Sequence, residues 1–311
     1  MPEYINKIRT ASGDLPINYE ALANLPTISN PNLLINSDFR RTVNQRGSAV
    51  YEGHDKRVYT IDRWCLSATD YGRTLEVLGD CVRYSNPNTT YQGFWFQEFE
   101  RVLPTDYYTI TVNVKKVTGN NVWVGNLVDD SAGNPIWGNP TTFNLKQGIN
   151  VFTFYGECAG LYFQASISSS AELYWVKLEG GKTSTQFIPR MYGEEQELCR
   201  RYFDIICGTR VIGAERDMAR NLFRFSIPRT KMMRDIPTIT TRGNVVTNST
   251  EGICVRNAEC GVLGGFTFEY SARSWEVLVT AYSSTTLDRD SYATQLYLDD
   301  KFLICLDAEI Y

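Results

Sequence analysis

Few residues in this chain could do chemistry, and their spacing argues against most of it. His54, in the polar run YEGHDKR, is the only histidine among 311 residues. A Ser-His-Asp or Cys-His mechanism would have to pass through it, and a single loop histidine reads as a solvated residue. A histidine-based zinc site needs several clustered ligands, a pattern this sequence lacks. Acid pairs stand at Asp129/Asp130, Glu98/Glu100 and Asp288/Asp290. A glycosidase uses such a pair, but adjacent and alternate acids are ordinary in turns and on exposed strand faces. Asp129–Asn134 reads as a turn, without the spacing or terminal glutamate of an EF-hand. No cofactor is called for, and a single structural calcium stays an open alternative. GVLGG at 261–265 has neither the Lys-Ser/Thr of a phosphate loop nor a following helix. The sequence assigns no catalytic residue, and the expectation is a protein that is not an enzyme.

Binding is better represented. Trp95, Trp123 and Trp137, with Tyr91, form an aromatic set in the first half. Flat aromatic faces can stack on sugar rings as well as fill a core. Trp137 lies in NPIWGNP, a loop context, whereas Trp95 in GFWFQEF suits the core or its rim. In the second half, Tyr270, Arg273 and Trp275 surround the turn in EYSARSWEV. Arginine and aromatics on a loop suit recognition, and equally suit a contact between subunits. These six residues, Trp95, Trp123, Trp137, Tyr270, Arg273 and Trp275, are the candidate ligand contacts.

The cysteines are Cys65, Cys81, Cys158, Cys199, Cys207, Cys254, Cys260 and Cys305. None forms a Cys-x-x-Cys pair. The opening residues have no apolar core of signal-peptide type, and no run approaches the roughly 18 apolar residues of a membrane span. The expectation is free, mostly buried thiols in a protein made in a reducing cytoplasm, without membrane insertion. Pairing outside the cell stays open. The formal charge of −4 supplies no basic face for nucleic acid.

The elements that would position these residues are strands. Residues 1–31 are punctuated by Gly13, Pro16, Pro26 and Pro31 and read as an extended connector with no core of its own. Tyr19, Leu22 and Leu25 within it could form one helical turn against another chain. From 32 to 190, apolar runs alternate with turn clusters such as VTGNN, DDSAGN and KQGIN. Tyr108, Ile110, Val112 and Val114 alternate with polar residues, the period of a half-buried antiparallel strand. This predicts an antiparallel β-sandwich of jelly-roll type. Residues 191–201 predict a short linker helix with Glu194, Glu195 and Glu197 in its first turn, a Glu197–Arg201 pair, and an apolar stripe of Leu198, Tyr202 and Ile205. Residues 202–311 resume the strand pattern, a second sandwich in which Pro228 and Pro237 flank a sheet-to-sheet crossing. The fold class is therefore all-β, with two jelly-roll-like sandwiches joined by a short helix behind an N-terminal connector.

At this point the residues carry a resemblance. Asn32-Leu-Leu-Ile-Asn-Ser-Asp-Phe39, then Val43-Asn-Gln-Arg-Gly47 and Tyr59-Thr-Ile-Asp-Arg-Trp64, resemble the opening of the sandwich domain of bacteriophage tail-fibre and baseplate proteins. Trp175-Val-Lys-Leu-Glu179, Thr185-Gln-Phe-Ile-Pro-Arg190 and Leu198-Cys-Arg-Arg-Tyr-Phe203 are similar to the end of that domain and the start of the next. Phe225–Pro228, Met233–Thr238 and the closing Leu306–Ile310 resemble a C-terminal head, and Ile17–Pro26 looks like a fibre connector. The resemblance implies a virion tail component with a carbohydrate-binding-module-like jelly roll and a receptor-binding or trimerising head. It transfers no fixed sugar-contact residues. It implies a homotrimer that meets other tail or baseplate proteins through residues 1–31 and engages a bacterial surface glycan or protein in host attachment. Such a protein is made in the host cytoplasm and assembled into the virion. A tail or baseplate adaptor that touches only virion proteins is the alternative. A polysaccharide depolymerase is a lesser one, which would need carboxylates converging in a cleft.

Overall fold

A computed structural model describes residues 7–10, 13–16, 30–54, 56–67, 72–87, 93–129, 135–137, 142–212, 215–217, 219–229, 232–242, 253–257, 262–263, 266–284, 293–298 and 302–309. The described chain is all-β, and its sheets are antiparallel throughout. The sequence-predicted turn at Tyr19, Leu22 and Leu25 lies outside the described residues. In the connector, Lys7–Thr10 pairs with Gly13–Pro16 as a two-stranded ladder, a hairpin that reading residues 1–31 as extended does not anticipate.

Between residues 50 and 180 the described strands form one 11-stranded sheet. Its order is Pro135–Trp137, Val122–Asp129, Gly148–Ala165, Trp95–Thr118, Ser169–Gly180, Val82–Asn86, Thr74–Val77 and Val50–Glu52. Two long strands organise it. Trp95–Thr118 pairs through its first residues with Cys65–Leu66 and through its last with Ser169–Gly180. Gly148–Ala165 follows it along most of that length, with register shifts between Gly156, Cys158 and Gly160. Such irregularities bend a strand and raise its twist, which lets one sheet curl around its own apolar side chains. The larger core cluster draws on Leu34, Trp64, Tyr84, Trp95, Ile110, Phe163 and Val176, and a smaller one on Phe94, Phe96, Leu127 and Tyr162. Trp64 and Trp95 stack at 4.4 Å, and Trp95 also stacks on Phe163 at 5.4 Å. At the turn after Thr118, Gly119 sits at φ +85°, and a Cβ there would lie 2.3 Å from the Ser168 carbonyl oxygen, so only glycine fits.

The alternation in Tyr108–Val114 is present but incomplete as a guide to burial. Ile110 and Val112 face the core, yet Thr109 and Thr111 are also buried. The cause is the segment after Gly180, which folds back over the outer face. Thr109 Oγ1 donates to the Gly181 carbonyl at 2.8 Å, and Thr111 Oγ1 lies 2.8 Å from Ser184 Oγ. Under the same strap, the buried Lys177 and Glu179 pair at 3.1 Å. Lys177 Nζ donates to Thr185 Oγ1 and the Gln186 carbonyl, and Thr185 N donates to Glu179 Oε1. Trp175 stacks face to face on Phe187 at 4.4 Å. These residues, which carry the resemblance at the end of the first half, fasten the chain to the strand it has just left.

The helix runs Tyr192–Cys199 with Glu194 and Glu195 in its first turn. Its buried residues are Glu195 and Cys199, while Leu198 is only half-buried. The expected apolar stripe is not a helical one: the helix ends at Cys199, so Tyr202, which is buried, and Ile205, which is half-buried, lie beyond it, and Glu195 docks the helix by hydrogen bonds. Glu197 pairs with Arg200 at 2.7 Å, not with Arg201, because Arg201 is drawn to Glu100.

After the helix come three small sheets. Phe203–Ile206, Leu303–Asp307 and Thr238–Arg242 form one, with Leu303–Asp307 central. Arg210–Ile212, Ala293–Leu298, Ile253–Asn257 and Val262–Leu263 form the second. Glu215–Asp217, Leu222–Pro228, Glu276–Ser283 and Phe266–Arg273 form the third. Leu222–Pro228 and Thr238–Arg242 belong to different sheets, the crossing that the flanking prolines Pro228 and Pro237 suit. These sheets share a second core of Phe223, Phe225, Val255, Val279, Leu296 and Leu306 among others.

Candidate functional site

Two places gather the polar and aromatic groups that could matter. One is a buried seam where the strands before the helix meet those after it. Asn36, Arg46, Asp62 and Arg63 come from the first side, and Tyr202, Phe203, Asp307 and Glu309 from the second. Asn36, held at φ 53°, uses its whole amide. Its Nδ2 donates to the Val43 and Asp62 carbonyls, and its Oδ1 accepts from Val43 N at 2.7 Å. Its backbone N–H donates to Glu195, which also pairs with Arg190 at 3.1 Å. Arg46 lies 3.2 Å from Asp62 and 3.4 Å from Asp307, with its guanidinium 4.0 Å from the Phe203 ring centre. Arg63 pairs with Glu309 at 2.7 Å, donates to the Glu98 carbonyl at 2.6 Å, and lies 3.7 Å over the Tyr202 ring.

Charge in this seam is balanced by contact, not by water. Arg63 is 3% exposed and the Glu309 carboxylate 0%. Removing such ions from water is repaid only by close pairing and further hydrogen bonds, and each has both. Burial pushes the Asp62 carboxyl up to about 7, against the pull of Arg46 and the Gln45 hydrogen bonds. Burial likewise pushes the Cys199 thiol well up. At the rim, burial opposes ionisation of Glu100, but hydrogen bonds from Arg201 and Tyr202 outweigh it and hold the group below its usual range.

The second place is the tip of the hairpin formed by Phe266–Arg273 and Glu276–Ser283. Trp275 is 52% exposed, and the Arg273 guanidinium lies 5.7 Å from its ring centre. Arg273 Nη1 donates to Glu276 Oε1 at 3.2 Å. The turn is held from outside: Arg229 N donates to the Trp275 carbonyl at 2.9 Å, and Met233 N to the Ser274 carbonyl at 2.8 Å. The tip thus presents an aromatic face and a cation on an anchored backbone.

The six candidate contacts do not converge. Trp95 is wholly buried, its Nε1 donating to Thr60 Oγ1 at 3.1 Å, so it is a core residue and not a ligand contact. Trp123 is half-buried on its strand, with Asn144 and Gln164 as its cross-strand neighbours. Trp137 belongs to a strand instead of the expected loop, and its side chain lies outside the described residues, as does Tyr91. Tyr270 parts from its neighbours: strand alternation turns it inward to stack on Phe302 at 6.4 Å while Arg273 faces out. Only Arg273 and Trp275 stand together. His54 is exposed. Of the acid pairs, Glu98 and Glu100 bind Arg57 and Arg201, and Asp288/Asp290 lie outside the described residues, as does most of Asp129–Asn134. Among the described residues, no three His, Cys, Asp or Glu gather as a metal site. Cys65, Cys81, Cys158, Cys199 and Cys305 are buried free thiols, and Cys207 is an exposed one.

No protein-family model matches the chain. No curated protein matches it either. The seam itself is the set that sequence reasoning missed. Arg46, Asp62 and Arg63 lie in the motifs that carry the resemblance, but nothing local ties them to Glu309, 246 residues beyond Arg63. The signal available was the Asp62-Arg63 pair inside an otherwise apolar run, Tyr59 to Leu66.

Proposed function

We propose that this chain is a structural component of a bacteriophage tail, a fibre-tip or receptor-binding protein. In this reading two jelly-roll-like sandwiches, 32–190 and 202–311, are joined through the helix and the buried seam. The observation that supports it is the role of the residues carrying the resemblance. Arg46 and Arg63 pair across the seam with Asp307 and Glu309, Asn36 and Asp62 hold its first side together, and Lys177, Glu179 and Arg190 fasten the strap. Residues so enclosed hold positions and leave recognition to the surface.

The recognition surface in this reading is the hairpin tip. Trp and Arg are the residue types that dominate binding hot spots, and here they share one anchored turn. The partner is a bacterial surface glycan or protein, and repeated copies, a trimer in this reading, raise weak single-site affinity into useful avidity. Residues 1–31 supply the attachment to other tail proteins. The adaptor reading draws on Met232 and Ile236, 61% and 69% exposed near the same turn, which suit a protein neighbour.

The test is binding of the purified chain to host cells, with and without enzymatic removal of surface glycans. Trp275→Ala and Arg273→Ala are each expected to lower binding tenfold or more without changing the melting temperature. Loss of binding on glycan removal identifies a sugar receptor. A folded protein that does not bind cells, or full binding by both variants, transfers the reading to the adaptor or to another surface.

A further inference from the structure

The strand Gly148–Ala165 has two halves with different surroundings. From Gly160 to Ala165 it lies between Trp95–Thr118 and Val122–Asp129. From Gly148 to Gly156 it pairs with Trp95–Thr118 on one side, and among the described residues no strand occupies the other. This half is therefore an edge, with a row of backbone donors and acceptors along it. Natural edges are usually blunted with charge, proline or a covering element. Here the sequence is Gly-Ile-Asn-Val-Phe-Thr-Phe-Tyr-Gly, with neither charge nor proline. Three of its four outward residues are apolar and open: Ile149 is 59% exposed, Val151 48% and Tyr155 65%, with the exposed Thr153 between them. Tyr107 continues the strip, its ring 4.8 Å from that of Tyr155.

We infer that this edge is an interface between two copies of the chain, paired antiparallel about a two-fold axis through Phe152. An unpaired strand edge selects an extended strand as its partner, because only that matches its repeat of donors and acceptors. The segment is close to symmetric about Phe152, with glycine at both ends and the same alternation read in either direction. The two-fold pairing sets Ile149 opposite Tyr155 of the partner copy and Val151 opposite Thr153. Large and β-branched cross-strand pairs of this kind stabilise antiparallel sheets, and no like charges oppose one another. The symmetry is isologous and closes at two copies. Where the trimer proposed above forms, the edge joins two such trimers, so the copy number is even, two without the trimer and six with it.

The experiment is the mass of the full chain by sedimentation and light scattering over a dilution series. The expected result is an even copy number whose association falls at least tenfold in Val151→Lys, with the circular dichroism and melting of the variant intact. Adding Thr153→Glu to Val151→Lys is expected to restore association, because the introduced lysine of each copy then faces the introduced glutamate of the other. Hydrogen exchange at 148–156 is expected to slow on association in the wild type. A monomer, an odd copy number, a mass indifferent to Val151→Lys, or a double variant that stays dissociated would overturn the inference.

Discussion

Arg63→Met tests whether the buried seam holds the two groups of strands together. In the native chain the guanidinium makes a 2.7 Å pair with Glu309, donates to the Glu98 carbonyl and covers the Tyr202 ring. Methionine fills much of the same volume but leaves the Glu309 carboxylate, 0% exposed, without its main partner. Stranding one member of a buried pair costs about 3–5 kcal/mol. Arg46, 3.6 Å from the same carboxylate, offsets part of this, while loss of the cation–π contact adds about 1–2 kcal/mol. The net expectation is about 4 kcal/mol, on the order of 10 °C in melting temperature. Calorimetry is the assay, because the strands after the helix should then melt ahead of those before it. Glu309→Gln in the Arg63→Met background removes the stranded charge and should recover a good part of the loss. The double-mutant cycle is expected to give a coupling above about 1.5 kcal/mol; a value under about 0.5 kcal/mol would refute the reasoning.

Three further outcomes follow from the same geometry. The Asp62 carboxyl, pushed up to about 7 by burial, holds its proton more tightly folded than unfolded, where its pKa is about 3.9. Unfolding then releases a proton between these values, so this group makes stability fall as pH rises from about 4 to about 7; Asp62→Asn should flatten that limb in denaturant titrations, and an unchanged slope counts against it. Lys177→Met should cost about 3 kcal/mol or more by stranding Glu179 under the strap, and it should open the 181–190 segment to limited proteolysis; wild-type cleavage and stability would reject that role. In thiol labelling, Cys207 should react in the native protein, whereas Cys65, Cys158 and Cys199 should react only on unfolding, because burial encloses them and pushes the Cys158 thiol up to about 12; native labelling of Cys158 by mass spectrometry would contradict the packing.

Local pattern carries a defined part of this protein. Burial alternates with period two in Val82–Asn86 and over residues 276–282, because side-chain direction in a strand depends only on the pleat. Pro228 and Pro237 mark the change of sheet for an equally local reason, the missing N–H. The all-β class, the short helix and the burial of most thiols were legible on these grounds. Other features were decided only when distant segments met. Thr109 and Thr111 look like exposed positions until residues 181–184 cover them. Trp95, a candidate for stacking on a sugar, is enclosed by Trp64, Tyr84 and Phe163 from three other strands or turns. Tyr270 and Trp275 are five positions apart, yet the hairpin sends one to the core and leaves the other at the tip. Above all, an arginine's sequence neighbours do not say whether it meets water or a carboxylate. The sequence by itself determined where strands could form and which way their side chains alternate. Tertiary structure alone decided that Arg46 and Arg63 would be buried, because a charge can leave water only where the folded chain delivers Asp62, Asp307 and Glu309 to meet it.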